Sequence, residues 1–244
     1  MRLFGLIGFP LSHSFSKKYF TEKFEKEGRN DCRYELFPIE TIDGIKKLLD
    51  QHPALCGLNV TIPYKEQVLP YLDETDDIVK KIKACNCIHI KNNRLTGYNT
   101  DAGGFERSLK PQLKPRHKTA LILGTGGAAK AVEFVLRKLG IGFKYVSRKP
   151  SINNYSYDQL TPAIMADHLL IINTTPLGMY PAIHEAPPIP YDALTSNHYL
   201  FDLVYNPEKS LFLKKGEERG SIIKNGYEML VIQAEESWRI WNDL

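Results

Sequence analysis

The sequence predicts an α/β fold laid out in two successive halves, each a parallel, helix-covered sheet. Three observations predict it. Short apolar runs of strand length alternate with stretches of helical period. The alternation halts at KPQLKPRHK, Lys110–Lys118, which holds two prolines and five basic residues, and then restarts at Thr119. A glycine-rich turn stands between a strand and a helix at the start of the second half.

In chain order, Arg2–Gly8 reads as a strand. Ser16–Glu27 reads as a helix, with Tyr19, Phe20 and Phe24 on one stripe and Gly28 as its stop. Arg33–Pro38 is a strand and Ile42–Asp50 a helix. Leu58–Ile62 is a short strand closed by Pro63, and Asp76–Lys83 is helical. Asn86–Ile90 and Arg94–Tyr98 form a hairpin around Lys91–Asn93, where asparagines suit a turn. Lys110–Lys118 is the tail of a helix and a connector. Strand TALIL, a glycine loop, a helix and strand Phe143–Ser147 follow. Further strands are expected at His168–Asn173, Tyr199–Tyr205 and Ser221–Lys224, with a loop over Tyr180–Pro190, which holds four prolines. Tyr227–Trp241 is helical: Leu230, Ala234, Trp238 and Trp241 recur on one face.

Composition excludes several classes. With 43% hydrophobic residues, the 244-residue chain has material for a packed core. Its net charge of +4 comes from scattered basic residues, which suits a small anionic ligand better than nucleic acid. No apolar run approaches the ~20 residues that span a bilayer. The start, MRLFGLIGFPLSHS, carries glycines and a proline and no small-residue cleavage site, so it reads as a strand and the protein as cytoplasmic. Cys32, Cys56, Cys85 and Cys87 make no disulfide framework. Cys85, Cys87 and His89 alternate along a strand and so share a face. A structural zinc site wants four ligands and no second ligand pair is visible, so no metal is expected.

The sharpest local signal is LILGTGGAAKAVEFVLRKLG, Leu121–Gly140. A glycine turn lets backbone N–H groups approach a pyrophosphate, and the following helix N-terminus favours the anion. Gly124, Thr125, Gly126, Gly127 and Ala128 form the turn, and small Ala131 permits close helix–sheet packing. The spacing is a variant of the usual fingerprint, and its place between strand and helix makes it dinucleotide-binding, hence a Rossmann-like half. An NAD site puts an acid at the end of the second strand. Here that end reads Ser147, Arg148, Lys149. A carboxylate would repel a 2′-phosphate, whereas these cations attract it, so NADP is expected over NAD.

Polar clusters recur at strand ends, where open α/β sheets bind ligands. They are LSHSFS with Ser14 and Ser16, NVTIPYKE with Asn59, Thr61 and Lys65, Asn86 beside Cys85, and YNTDAGGF with Asp101. Each has a structural reading as well: Ser16 as a helix N-cap, Lys65 as a surface charge, Asn86 as a backbone partner, Asp101 as a cap before Gly103.

HSFS, NVTIPYKE, YNTDAGGF, GTGGAAKA, NTTPLGM, DLVYNP and NGYEMLVIQA stand in the order and spacing of the shikimate dehydrogenases, and the resemblance runs over essentially the whole chain. It implies a substrate domain at 1–103, with a returning C-terminal helix at 227–244, an NADP domain at 104–226 and a cleft between them. It also implies reversible, NADPH-dependent reduction of 3-dehydroshikimate to shikimate, in a monomer or homodimer without nucleic-acid or membrane partners. By the same resemblance Lys65 and Asp101 are the catalytic pair. Ser14 and Ser16, helped by Tyr205, hold the substrate carboxylate. Asn59, Thr61, Asn86 and Asp101 hold ring hydroxyls, and Gln233 adds a further contact. The cofactor residues are Gly124–Ala128 and Ser147–Lys149, with Gly226 near the nicotinamide and Asp77 close by. The chain departs from the family where Asn-Arg-Thr is usual and Ser147-Arg148-Lys149 stands, and where Cys87 replaces a common threonine.

Lysine is charged at neutral pH, so Lys65 is ready to donate a proton to a ketone oxygen during reduction. The reverse oxidation needs the neutral amine and gains from high pH. Two other readings are a quinate-using enzyme of the same family and a non-catalytic sensor of the same ligands. An intact Lys65 and Asp101 argue against the sensor.

Overall fold

The computed structural model describes residues 1–11, 14–149 and 154–243. The chain divides into two compact units, Met1–Gly103 with Ile232–Leu244, and Gly104–Val231.

The first unit holds β1 (Arg2–Gly8), α1 (Phe15–Lys26), β2 (Cys32–Pro38), α2 (Gly44–Gln51), β3 (Leu55–Val60), β4 (Glu74–Thr75), α3 (Asp77–Ile82), β5 (Cys87–Lys91), β6 (Arg94–Tyr98) and the start of α4 (Thr100–Leu109). The sheet order is β2-β1-β3-β5-β6-β4. It is parallel across β2, β1 and β3, but β5 runs antiparallel to both β3 and β6. The expectation of a parallel sheet is therefore corrected to a mixed one. The cause is the tight hairpin: Lys91 pairs with Arg94, and Asn92 and Asn93 take φ of 52° and 58°, the left-handed pair a two-residue turn demands.

Two local readings also change. Helix α1 is capped by Ser14, whose Oγ accepts from the Lys17 N–H at 3.2 Å, so Ser16 lies in the first turn and is not the cap. Strand β3 begins at Leu55, ahead of the expected Leu58, and ends at Val60.

The pleat of β1 sorts the core. Phe4 and Leu6 face Phe20 and Phe24 of α1 and the last-helix residues Ala234, Trp238 and Trp241. Ile7 faces the other way, with Ile45 and Leu48 of α2 and Val79 of α3. Trp241 donates from Nε1 to the Ile88 carbonyl at 3.0 Å and stacks on Phe4 with centroids 4.9 Å apart, which fixes the end of the chain to this sheet. Cys85 packs on the α2 face and Cys87 on the α1 face, so the two thiols do not share a side as expected.

The second unit holds β7 (Thr119–Leu123), α5 (Gly127–Lys138), β8 (Gly142–Ser147), β9 (Asn154–Ser156), α6 (Pro162–Asp167), β10 (Leu170–Asn173), β11 (Tyr199–Asp202), α7 (Leu211–Glu218), β12 (Ile222–Lys224) and the start of α8 (Tyr227–Trp241). Its sheet, β12-β11-β10-β7-β8-β9, is parallel throughout. Read from β9, that is the doubly wound order 3-2-1-4-5-6, whose switch point lies between its first and fourth strands, here β7 and β10. Strand β11 ends at Asp202, short of the expected Tyr205, because the Asp202 side chain turns back to bond the Val204 N–H at 3.0 Å.

Candidate active site

Lys65 and Asp101 meet: Nζ lies 2.7 Å from Oδ2, with the side chains 18% and 5% exposed. Each is held by its neighbours. Tyr64 is buried and donates to the Ile39 carbonyl at 2.6 Å, and the Lys65 carbonyl accepts from the Cys85 N–H at 2.7 Å. Asp101 sits in the first turn of α4. The cap of that helix is Asn99, whose Oδ1 accepts from the Ala102 N–H at 3.1 Å while Nδ2 donates to the Ala84 carbonyl at 2.8 Å. The capping reading of Asp101 is thereby replaced, and its carboxylate is left for Lys65. A partly buried ammonium beside a nearly buried carboxylate is a group that can hold or release a proton at a fixed point.

Asn86 is 3% exposed and fully engaged. Its Oδ1 accepts from the Thr100 N–H at 2.7 Å, and Nδ2 donates to Thr100 Oγ1 at 3.0 Å and to Gln233 Oε1 at 3.1 Å. It thus ties α4 and α8 to the end of the sheet. Asn59 accepts from the Tyr34 hydroxyl at 2.8 Å and donates to the Asn86 carbonyl at 3.3 Å and to Ser237 Oγ at 3.0 Å. The Tyr34 phenol has Ser16 as a second hydrogen-bonding neighbour, and burial pushes it well above its ordinary pKa while Ser16 pulls the other way. Thr61 extends the strand by donating its N–H to the Ile7 carbonyl at 3.0 Å. Lys65, Asp101, Asn59, Asn86, Ser16 and Gln233 therefore belong to one polar end of the first sheet. Ser14 stands two residues before Ser16, its hydroxyl accepting at the helix cap with its proton still available to a ligand. Asp77 is different: it is an exposed first-turn acid paired with Lys80 at 3.2 Å.

In the second unit, Gly124 follows β7 with φ +102°, and a Cβ there would lie 2.9 Å from Thr174 Oγ1 and 3.0 Å from Thr175 Cγ2, on the loop after β10. Both the dihedral and the switch-point crowding demand glycine. Gly126 caps α5 and has open space where a side chain would be. Thr125 is exposed and Gly127 and Ala128 half-buried, so the N-terminal amides of α5 have an open approach for a pyrophosphate. Ser147 ends β8 and donates to the Lys149 carbonyl at 2.6 Å; Arg148 and Lys149 are exposed. This donor set fits a dinucleotide with a phosphorylated ribose. Tyr205 lies half-buried in the loop after β11. At Gly226 a Cβ would fall 2.2 Å from the Leu203 carbonyl oxygen, so close backbone approach accounts for that glycine.

Sequence reasoning missed the groups that hold the site residues. Tyr34 and Ser237 carry no motif signal, and Thr100 appears only inside YNTDAGGF, beside Asp101. Asp202, which opens DLVYNP but has no role assigned from it, is fully buried, accepts from Asn173 Nδ2 at 2.9 Å and Ser210 Oγ at 2.5 Å, and has its carboxyl pushed up to about 6 by burial. Asn173 in turn accepts from the Thr175 hydroxyl at 2.6 Å. The motifs NTTPLGM and DLVYNP, which begin at the ends of the adjacent strands β10 and β11, are the available sign. Burial also pushes Cys85 up to about 12 and raises Cys87 further, leaving both as neutral thiols. Among the described residues no group of three or more His, Cys, Asp or Glu is placed to hold a metal ion, and no helix is long and apolar enough to cross a membrane.

Residues 6–88 match the family model described as the shikimate dehydrogenase substrate binding domain. The shikimate dehydrogenase (NADP(+)) of Clostridium beijerinckii is 40% identical over 253 residues, covering 100% of this chain and 93% of the relative. Among solved structures, a shikimate 5-dehydrogenase from Thermus thermophilus, in complex with NADP(H) and shikimate, superposes with TM-score 0.87 at 29% identity, covering 100% of this chain and 94% of that one. A quinate dehydrogenase from Corynebacterium glutamicum in complex with NAD gives TM-score 0.87 at 27% identity, with 100% and 94% covered. With full-length relatives at this identity, a matching substrate-domain model and the same two-unit fold, the chain belongs to the shikimate dehydrogenase family.

Proposed function

We propose that this protein is an NADP-dependent shikimate dehydrogenase that interconverts 3-dehydroshikimate and shikimate. The observation that carries the reading is the Lys65–Asp101 pair, held at 2.7 Å at the polar end of the first sheet. A nicotinamide cofactor bound through the β7–α5 turn would supply the hydride that reduces the ketone. Lys65 holds the proton that the carbonyl oxygen takes up, and its charge stabilises that oxygen as negative charge develops. Asp101 keeps the ammonium aimed, and accepts from a neighbouring ring hydroxyl. Ser14 and Ser16 bind the substrate carboxylate; Asn59, Thr61, Asn86 and Gln233 bind or frame the ring hydroxyls. Gly124, Thr125, Gly126, Gly127 and Ala128 hold the pyrophosphate, and Ser147, Arg148 and Lys149 the 2′-phosphate. Gly226 borders the cofactor. The four unpaired cysteines suit a reducing, cytoplasmic setting.

The test is absorbance at the nicotinamide band with purified protein, crossing shikimate or quinate with NADP or NAD. Turnover with shikimate and NADP is expected. Absence of turnover in all four pairings would end the enzymatic reading, and a preference for quinate with NAD would move the protein to the quinate branch.

A further inference from the structure

Thr174 and Thr175 follow β10, and their surroundings fix where each hydroxyl proton goes. Thr174 donates from Oγ1 to the Leu123 carbonyl at 2.7 Å. Thr175 donates from Oγ1 to Asn173 Oδ1 at 2.6 Å. The second bond depends on which way the Asn173 amide faces, and backbone groups decide that. The Thr175 N–H, a donor, meets Oδ1 at 3.0 Å, and the Leu177 carbonyl, an acceptor, meets Nδ2 at 3.4 Å. Nδ2 also donates to Asp202 Oδ1 at 2.9 Å, and Asn173 is fully buried. A flipped amide would set donor against donor and acceptor against acceptor at these contacts.

A hydroxyl has one proton and two lone pairs. With both protons spent inside the protein, Thr174 and Thr175 meet a ligand only as acceptors. Thr175 gives one lone pair to the Leu177 N–H at 3.3 Å and keeps the other. Both residues are half-buried, within reach of a bound molecule. They also wall the glycine turn: a Cβ on Gly124 would lie 2.9 Å from Thr174 Oγ1.

A pyrophosphate carries acceptors alone, so these lone pairs repel it and the α5 amides take it. The part of a dinucleotide that suits the threonines must carry a donor. Strand order selects which part. Strand β7 lies between β8 and β10. The 2′-phosphate residues Ser147, Arg148 and Lys149 stand at the end of β8, which sets the adenosine half on that side. The ribose beyond the pyrophosphate then comes to the β10 side.

We propose that Thr174 and Thr175 form an acceptor-only subsite for a hydroxyl of the nicotinamide-bearing ribose, with Asn173 holding the Thr175 proton away from the ligand. This inference rests on the reading that the second unit binds NADP.

The experiment is calorimetric titration of the wild type, Thr174→Val, Thr175→Val and Thr175→Ser with three nucleotides. They are NADP, 2′-phospho-ADP-ribose, which keeps the second ribose but lacks nicotinamide, and adenosine 2′,5′-bisphosphate, which lacks both. Each valine variant binds NADP and 2′-phospho-ADP-ribose about two- to tenfold more weakly, and binds the bisphosphate as the wild type does. Thr175→Ser, which keeps the hydroxyl, matches the wild type throughout. Variants are compared once their circular dichroism agrees with the wild type, and alanine replaces any valine that prevents folding. Equal losses for all three nucleotides would mean that the threonines only brace the glycine turn. A loss for NADP alone would move the subsite to the carboxamide. Unchanged NADP affinity in either valine variant would mean that its hydroxyl does not meet the cofactor. Each of these outcomes overturns the proposal. A wild type that binds none of the three nucleotides would instead remove the cofactor reading itself, together with this one.

Discussion

Asn86 donates from Nδ2 to Gln233 Oε1 at 3.1 Å, joining two residues 147 positions apart. The same side chain accepts the Thr100 N–H at 2.7 Å, one residue before Asp101. The family contact at Asn86 is thus also the clamp on the proposed catalytic carboxylate. Asn86→Ala leaves the buried Thr100 N–H without its partner, which costs about 1–3 kcal/mol in urea unfolding. It also loosens the first turn of α4, so kcat falls along with stability. Gln233→Ala, which leaves the Thr100 bond intact, loses less stability. A variant at Asn86 with unchanged kcat would reduce the residue to a substrate contact.

Lys65→Ala tests the proton-handling role. A general acid contributes about 10²–10⁴ in rate, and a group acting in the transition state changes kcat more than KM. A rise in KM with kcat intact would make Lys65 a binding group. Removing the amine also strands the Asp101 carboxylate, 5% exposed. Lys65→Ala is therefore less stable than the wild type at neutral pH, and adding Asp101→Asn recovers part of the loss.

Arg148 stands exposed after β8. Hydrogen bonds to charged groups contribute ~1.5–3 kcal/mol, about ten- to hundredfold in affinity. Arg148→Ala should raise KM for NADP by that factor and leave KM for NAD nearly unchanged. Equal effects on both cofactors would move Arg148 away from the 2′-phosphate.

How far the sequence carried depended on where the signal lay. Strands β1 and β6 and helix α8 fall at their expected bounds, because apolar period, turn residues and flanking glycines agree there. The Lys65–Asp101 meeting was legible from motif order. Strand β3 starts at Leu55, three residues ahead of the expected Leu58, and Gly57 pairs within the sheet with both β1 and β5. The antiparallel turn of the first sheet followed from the hairpin, whose effect on neighbouring strands the local pattern does not carry. Tyr34, Ser237 and Asp202 escaped notice because their roles arise from partners 8 to 178 residues away. No window along the chain contains both ends of the longer bonds.

Acid stability of the second unit is governed by opposed groups. His117 and His198 share one arrangement: Nδ1 accepts a backbone N–H three residues earlier, from Lys114 and Thr195, each at 3.0 Å. Nε2 meets a carbonyl, Asn197 at 3.1 Å and Met165 at 3.0 Å. Burial lowers both histidines below the usual value. The unfolded chain then takes up their protons first, so their contribution is intact above about pH 6.5 and is lost as pH falls below it. Asp202 works the other way. Its folded value near 6 exceeds the ordinary 3.8, so the folded state binds that proton first. Its contribution is present at low pH and is lost as pH rises from about 4 to 6, amounting to about 3 kcal/mol across the window. Asp202→Asn keeps partners for Asn173, Val204 and Ser210 but removes the titration. Urea unfolding from pH 7 to 4 should therefore show stability falling more steeply in Asp202→Asn than in the wild type, and less steeply in His198→Gln. Parallel wild-type and Asp202→Asn curves would mean that the Asp202 carboxyl titrates alike in the folded and unfolded chain.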